Sequence, residues 1–216
     1  MEVALSQEEL HQIAESITVK VWAGDARGSG TLIMKESGRY TVLTNDHVIA
    51  VGSPDRIETN DGKIYPATVV EKVDFQGKDL ALLQFSAEAD YSIASLGHGD
   101  RMFPKQQVVA AGFPYQQEEL VLSEGSITLL PDKAFEGGYR IGYSNDIQKG
   151  MSGGPVLNGA GKMIAINGMH AYPFFDPYVY EDGTRPEDKL ERQNIRSSSW
   201  GVPIATFAQL ASDFVP

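Results

Sequence analysis

Apolar and polar positions alternate with a period of two over most of this chain, in many short runs. The alternation begins near Thr18, and turn residues interrupt it at short intervals. This pattern is typical of half-buried antiparallel strands, and so many strands predict an all-β protein built of antiparallel barrels. The runs are ITVKVWA, GTLIMK, YTVLT, RIETN, IYPATVVEKV, LALLQF, QVVAAGF, LVLSEGSITLL, YRIGYS, PVLN and KMIAING.

Short helices are predicted at both ends of the chain. Ser6 and Glu9 have the spacing of a capping box, and apolar residues recur on one helical face from Leu10, which predicts an N-terminal helix within residues 1–16. After Gly168 the pattern lapses, so we expect a long loop over residues 169–199, followed by a strand and a C-terminal helix. A loop of this length either packs on the barrel for its own stability or contacts a substrate or partner.

The chain divides into two halves at its most polar, turn-rich break. This break runs from Gly112 to Glu119, so we assign residues 17–115 to the first half and residues 116–216 to the second. A cleft between the two halves is expected.

The composition is that of an ordinary globular chain. Hydrophobic residues make up 42% and charged residues 22% of it, and it has no cysteine, which excludes disulfides, thiolate metal sites and cysteine nucleophiles. The net charge of -11 disfavours nucleic acid and anionic membranes as partners. The same charge either favours cationic substrates or serves solubility alone.

No targeting segment is expected from the sequence. The segment from Met1 to Leu10 has acidic residues where a signal peptide has basic ones, and no run approaches the roughly 18 apolar residues of a membrane span. These features predict a cytoplasmic protein, or a domain taken from a larger one. They leave the oligomeric state open.

The main candidate for chemistry is Ser152, which lies in the glycine-rich turn Lys149-Gly150-Met151-Ser152-Gly153-Gly154. Glycines let the backbone turn tightly around the serine, so the N–H groups of Gly150 and Ser152 can both face a developing oxyanion. The turn therefore predicts a nucleophilic hydroxyl at Ser152.

Two further motifs lie upstream of this turn. They are Asp46-His47-Val48 and Lys78-Asp79-Leu80, which give the chain order His, Asp, Ser. This is one of the orders in which Ser-His-Asp triads occur. Three partners in order favour a catalytic His47 over a structural histidine.

Taken together, the motifs resemble the chymotrypsin-like serine endopeptidases, and they look closest to the bacterial trypsin-like branch that includes the HtrA/Deg proteases. The likeness extends from about Ile17 to the C-terminal helix and contains no PDZ domain. It implies two six-stranded antiparallel β-barrels with the active site in the groove between them. The strings that carry it are Gly28 to Ile33, Leu43 to Ile49, Lys78 to Leu83 and Gly150 to Pro155.

The resemblance also implies a role for each member of the triad. His47 would be the general base, Asp79 would hold the imidazole tautomer, and Ser152 would be the nucleophile. Asp46 is a rival carboxylate because it is adjacent to His47, but the family motif matches Asp79. The N–H groups of Gly150 and Ser152 would form the oxyanion hole.

Two more positions acquire a meaning from the resemblance. Secreted trypsin-like enzymes carry an aspartate at the position of Met151, where it pairs with a new N-terminus, so activation by N-terminal insertion is not expected here. Asp146 lies six residues before Ser152, where the resemblance places the floor of the primary specificity pocket. A carboxylate there predicts cleavage after Arg or Lys, and the alternative is that Asp146 lies exposed in a turn.

The pocket walls are assigned in the same way, to Ile166, Asn167 and Gly168 and to the stretch from Ser198 to Trp200. We therefore expect a serine endopeptidase acting on protein or peptide substrates with basic residues, without cofactor or metal. The alternative is a binding or regulatory module with a latent or misaligned triad. Acidic stretches near residues 180–183 and 186–188 either lie in solvated loops or donate oxygens to calcium.

Overall fold

The fold is described here from a computed structural model covering residues 4–50, 52 and 54–215. Residues 1–3 of the predicted N-terminal helix lie outside this range. Within it, no helix is both long and apolar enough to cross a membrane. The helices are α1 (Gln7–Ile17), α2 (Asp46–Ile49), α3 (Lys189–Arg196) and α4 (Ile204–Leu210).

Helix α1 begins at the predicted capping box. The Ser6 hydroxyl accepts from Glu9 N–H over 3.3 Å, and the Glu9 carboxylate accepts from Ser6 N–H over 2.8 Å. The helix buries Leu10, Ala14 and Ile17 on one face. The predicted N-terminal helix is therefore confirmed from Gln7 onward, because Ser6 caps it and does not belong to its first turn.

The first half of the chain forms a seven-stranded antiparallel sheet in the order β5-β4-β1-β2-β3-β7-β6. Its edges are β5 and β6, which are separated only by Ala67. The strands are β1 (Thr18–Ala23), β2 (Ala26–Glu36), β3 (Arg39–Thr44), β4 (Pro54–Glu58), β5 (Ile64–Pro66), β6 (Thr68–Val69) and β7 (Ala81–Ser86).

These two edge strands nearly close the sheet into a barrel. One extended run, residues 64–69, pairs with β4 at its start and with β7 at its end, so it bends across the open side. If residues 64–69 are counted as one strand, the first barrel has six strands, as predicted. The additional strand arises from the break at Ala67, next to Pro66, which has no N–H to donate.

The second half of the chain forms a closed six-stranded barrel in the order β10-β13-β12-β11-β8-β9. The all-β double-barrel prediction is thereby confirmed. The strands are β8 (Gln107–Gly112), β9 (Val121–Leu129), β10 (Ile141–Tyr143), β11 (Pro155–Asn158), β12 (Met163–Met169) and β13 (Ser199–Pro203).

The division between the barrels differs from the predicted one. Strand β8 falls in the range 17–115 that was assigned to the first barrel, but it pairs with β9 and β11 of the second. The chain crosses between the barrels after β7 ends at Ser86, and not at the polar break from Gly112 to Glu119. That break is the connection from β8 to β9 within the second barrel.

An apolar cluster between the barrels holds them together. It takes Leu43 and Leu82 from the first barrel and Leu157 and Trp200 from the second, all at most 1% exposed. Helices α1 and α4 contribute to the same cluster, which also contains Ala14 and Phe207. Since burial of these side chains stabilises both barrels at once, the groove between them has rigid walls.

The predicted long loop is present, but part of it is helical. Helix α3 lies inside it, and the Asp188 side chain caps the helix by accepting from Glu191 N–H over 2.8 Å. This eight-residue helix was missed because it has one buried residue, Ile195, and so shows no apolar repeat. The predicted C-terminal strand and helix are confirmed as β13 and α4.

Candidate active site

His47 lies at the end of strand β3, on the single turn of helix α2. The Val48 side chain, which follows it, packs against Gly28, where any Cβ would overlap the valine methyl groups. Asn45, at the helix N-cap, is fully buried and donates from its side chain to the Asp79 carbonyl over 2.8 Å. The turn that carries His47 is therefore tied directly to the backbone of Asp79.

The imidazole of His47 is paired with Asp79. Nδ1 lies 2.6 Å from Asp79 Oδ2, and the backbone N–H of His47 donates to Oδ1 over 2.9 Å. The histidine side chain is 48% exposed, whereas that of Asp79 is 14% exposed. The carboxylate thus holds the Nδ1–H tautomer from behind and leaves Nε2 as the acceptor on the groove side.

Asp46, the rival carboxylate, forms no hydrogen bond or ion pair with His47 among the described residues. It is the first residue of α2 and its side chain is exposed. Its backbone carbonyl accepts from Ala50 N–H within the helical turn. The structure brings His47 together with Asp79 and not with its own neighbour in sequence, because adjacent side chains on a helix do not face each other.

Asp79 is kept ionised against its burial. Burial by itself raises the pKa of this carboxyl, but the hydrogen bond and charge of His47, together with donation from the Tyr139 hydroxyl and His47 N–H, hold the pKa below its ordinary value. Asp79 is therefore negatively charged at neutral pH, as a group that stabilises an imidazolium must be.

Tight backbone turns surround Ser152. Gly150 and Gly153 have φ values of +101° and +88°, a region that favours glycine. A side chain on Gly153 would overlap the carbonyl of Ser29, and one on Gly154 would overlap that of Ala111. The glycines that predicted this site are therefore required both by backbone conformation and by close packing.

The Ser152 side chain lies half-buried in the groove. Its Oγ donates to Gly168 O over 3.2 Å, and the described residues show no hydrogen bond from it to His47. A serine hydroxyl turns freely about its Cα–Cβ bond, and catalytic hydrogen bonds commonly tighten only when substrate binds.

The two predicted oxyanion donors are free. Tyr115 N–H donates to the carbonyl of Lys149 over 2.9 Å, which turns that carbonyl toward Tyr115. Because the C=O and N–H of a trans peptide point in opposite directions, the N–H of Gly150 points away from Tyr115. Among the described residues, neither this N–H nor that of Ser152 has an acceptor. Both are available to an oxyanion.

Met151 fixes the turn by apolar packing. Its side chain is fully buried in a cluster that includes Ile147, Val156 and Ile164. Its sulfur also accepts from Gln148 N–H over 3.4 Å. Residue 151 is thus held in place by apolar contacts and not by an ion pair.

The predicted specificity residues do not all reach the groove surface. Asp146 is exposed. Ile166 and Asn167 are 0% exposed, so they lie behind the wall, and the assignment of these two as substrate contacts is corrected. The Asn167 side chain donates to Met151 O over 3.0 Å and accepts from the Tyr143 hydroxyl. The accessible wall begins at Gly168, which is half-buried.

The stretch from Ser198 to Trp200 is also at most 1% exposed, so its assignment to the pocket wall is corrected in the same way. Ser199 Oγ donates to Asn145 O over 2.9 Å and accepts from Ala171 N–H over 3.2 Å. It therefore joins the segment that leads into Asp146 to the segment that follows strand β12.

Sequence reasoning missed two contributors to the site. One is Ser29, whose Oγ donates to Gly150 O and accepts from Phe113 N–H, each over 2.8 Å. The other is Tyr139, whose hydroxyl donates to Asp79 Oδ2. Ser29 was visible only as part of a glycine-rich string, and the sole signal near Tyr139 was the preceding Gly137-Gly138 turn.

The acidic stretches of the long loop are engaged in contacts within the chain. Glu181 pairs with Lys78 over 2.5 Å and Asp182 with Lys133 over 2.6 Å. Asp188 caps α3. Across the residues that the structure describes, no group of three or more acidic or histidine side chains is arranged to hold a metal ion.

Comparisons with known proteins agree with this geometry. A family model described as the trypsin-like peptidase domain matches residues 28–166. The chain is 32% identical over 152 residues to serine protease HTRA1 of Xenopus laevis, covering 66% of this chain and 31% of that protein. It is 29% identical over 150 residues to the serine protease Do-like HtrA of Bacillus subtilis, covering 66% and 33%.

The chain therefore spans about a third of the length of the curated relatives it matches. Among solved structures, a serine endoprotease from Yersinia pestis superposes with a TM-score of 0.71 at 22% identity, covering 99% of this chain and 68% of that one. This similarity concerns the fold.

Proposed function

Because this chain belongs to the trypsin-like peptidase family, we propose that it is a serine endopeptidase that hydrolyses peptide bonds through an acyl-enzyme intermediate. The observation that carries the proposal is the Asp79–His47 pair, whose Oδ2 and Nδ1 atoms lie 2.6 Å apart, together with the free N–H groups of Gly150 and Ser152 in the turn that carries the serine.

In the proposed mechanism, His47 Nε2 takes the Ser152 proton as Oγ attacks the substrate carbonyl. The oxyanion is bound by the N–H groups of Gly150 and Ser152, and Asp79 stabilises the imidazolium. The imidazolium then gives its proton to the leaving amine. Water, deprotonated by the same histidine, hydrolyses the acyl-enzyme and restores Ser152.

The alternative is a binding or regulatory module with a latent or misaligned triad, and the contact of the Ser152 hydroxyl with Gly168 O instead of His47 is the observation on its side. The Asp79–His47 pair and the free N–H groups of Gly150 and Ser152 favour the enzyme, because only rotation of the Ser152 side chain is then needed to complete the triad. A fluorophosphonate probe distinguishes the two: labelling of the wild type and none of Ser152→Ala supports the peptidase. Absence of labelling in both proteins would contradict it.

We further propose a preference for Arg or Lys before the scissile bond. It is supported by the carboxylate of Asp146 and by the net charge of -11. Since Asp146 is exposed, its attraction for a substrate cation is that of a surface ion pair, about 0.2–1 kcal/mol. The expected preference over a neutral side chain of similar size is therefore at most about fivefold.

Cleavage profiling on a peptide library tests this preference. The wild type is compared with Asp146→Asn, which keeps the size of the side chain and removes its charge. Loss of the Arg/Lys preference in the variant supports the assignment. A wild-type preference for acidic or small apolar residues would refute it while leaving the peptidase mechanism intact.

A further inference from the structure

Tyr139 connects the second barrel to the carboxylate of Asp79. It follows the 3₁₀ turn Glu136–Gly138, and its side chain is buried. Its hydroxyl donates to Asp79 Oδ2, the same oxygen that faces His47 Nδ1. This oxygen therefore has two hydrogen-bond partners, one from each barrel.

The backbone before Tyr139 is held against Asp79 as well. Asp79 N–H donates to Gly137 O over 2.8 Å, and Phe135 N–H donates to Tyr139 O over 2.8 Å. Phe135 is itself fully buried, stacked on Tyr180 and edge-on to Trp200. The hydroxyl of Tyr139 thus reaches Asp79 from a segment with little freedom to move.

Gly168 provides the space that this hydroxyl occupies. A Cβ at position 168 would overlap the Tyr139 hydroxyl and ring. The carbonyl of the same glycine accepts from Ser152 Oγ over 3.2 Å. Tyr139 and Gly168 therefore form one contiguous path between the carboxylate and the nucleophile.

We propose that Tyr139 is a positioning residue, whose hydroxyl fixes the Asp79 carboxylate so that His47 presents Nε2 to Ser152. This inference rests on the proposed peptidase function for its effect on rate. The hydrogen bond that it invokes exists whether or not the chain is an active enzyme.

The surroundings of Asp79 strengthen this hydrogen bond. A hydrogen bond to a carboxylate is stronger than one between neutral groups. The Asp79 side chain is only 14% exposed, so little water can replace a lost donor. Burial, followed by the charge of Asp79, raises the pKa of Tyr139 well above its ordinary value, so the hydroxyl stays protonated as a donor. The nearby cation Lys78 is paired with Glu181.

The test compares Tyr139→Phe with Tyr178→Phe in the full chain. Tyr178 is a matched control, because it also lies buried against Phe135 but its hydroxyl has no hydrogen-bond partner among the described residues. Two readouts are used: the rate of fluorophosphonate labelling at Ser152, and the NMR resonance of the His47 Nδ1 proton, which needs no activity.

We expect Tyr139→Phe to slow labelling about tenfold, the effect of losing one hydrogen bond to a charged group, and to move the Nδ1 proton resonance. Tyr178→Phe should change neither. Gly168→Ala, whose methyl group would displace the hydroxyl, should act in the same direction as Tyr139→Phe.

Equal labelling rates and an unmoved resonance in Tyr139→Phe would overturn the inference. If the wild type is not labelled at all, the peptidase proposal fails, but the resonance still decides the role of Tyr139. A shift in Tyr139→Phe alone supports the positioning contact, and no shift refutes it. Thermal unfolding of each variant shows whether a slower rate reflects loss of folded protein.

Discussion

The hydroxyl of Ser29 in the first barrel donates to the carbonyl of Gly150 in the second over 2.8 Å. The backbone N–H of Ser29 also donates to the carbonyl of Ser152 over 2.8 Å. One fully buried serine therefore fixes both residues whose N–H groups would bind the oxyanion. The nucleophile turn is thus positioned relative to His47 by a side chain from the opposite wall of the groove.

Replacing Ser29 with alanine should weaken both folding and catalysis. The change leaves Gly150 O and Phe113 N–H buried without this partner, so the free energy of unfolding should fall by about 1–3 kcal/mol. Turnover should fall more than KM rises, since the disturbed groups bind the transition state. Urea denaturation and steady-state kinetics measure these effects. Ser16→Ala, in α1, is the control, and equal behaviour of the two variants would contradict the prediction.

Asp79→Asn should preserve the fold and reduce turnover by about 10⁴-fold, because an amide favours the wrong histidine tautomer. The matched control is Asp46→Asn, which removes the charge next to His47 in sequence from an exposed residue that makes no hydrogen bond to the imidazole among the described residues. Turnover of the control should stay within about twofold of wild type. A comparable loss in both variants would show that the carboxylate has been misassigned.

Met151→Asp should be severely destabilising. The side chain would place an unpaired carboxylate in a fully buried apolar cluster, and the expected cost is about 3–5 kcal/mol. Met151→Leu, which keeps the volume and apolar character, should cost less than about 1.5 kcal/mol. Thermal unfolding gives both values. If the aspartate variant were as stable as the leucine variant, the described packing of this turn would be wrong.

The stability of the protein should depend on the charge of Asp79 in acid. Burial raises the pKa of Asp79, but the contacts with His47 and Tyr139 outweigh it, so the folded-state pKa lies below the ordinary value. The contribution of a carboxylate with a lowered pKa is fully present above the unfolded-state value of about 3.9, and it is lost as the pH falls through the folded-state value.

The urea midpoints of wild type and Asp79→Asn, measured from pH 7 to pH 3, test this dependence. The difference between the two proteins should stay constant down to about pH 5 and shrink below about pH 4. If the pKa of Asp79 were raised instead, its protonation would stabilise the folded wild type, and the difference would grow as the pH falls from 7 toward 4.

Much of the fold could be predicted because its signals are local. Alternating polarity specified the strands, and the Ser6 and Glu9 spacing specified the start of the first helix. The exceptions are also physical. Strand β8 was assigned to the wrong barrel because a strand's pattern reports that one face is buried but not which strands it pairs with. Helix α3 was missed because it buries only Ile195.

The sequence by itself determined the chemistry that is available: a serine in a turn that only glycines permit, and a histidine and an aspartate upstream in order. Only the tertiary structure decided which groups act on them. The partners of Tyr139, Gly168 and Ser29 lie far from them along the chain. A hydrogen bond requires its two atoms to be placed to within a few tenths of an ångström, and no residue pattern specifies positions that finely. The packing of two barrels sets those distances, so the supporting contacts of the site emerge only when the chain is folded.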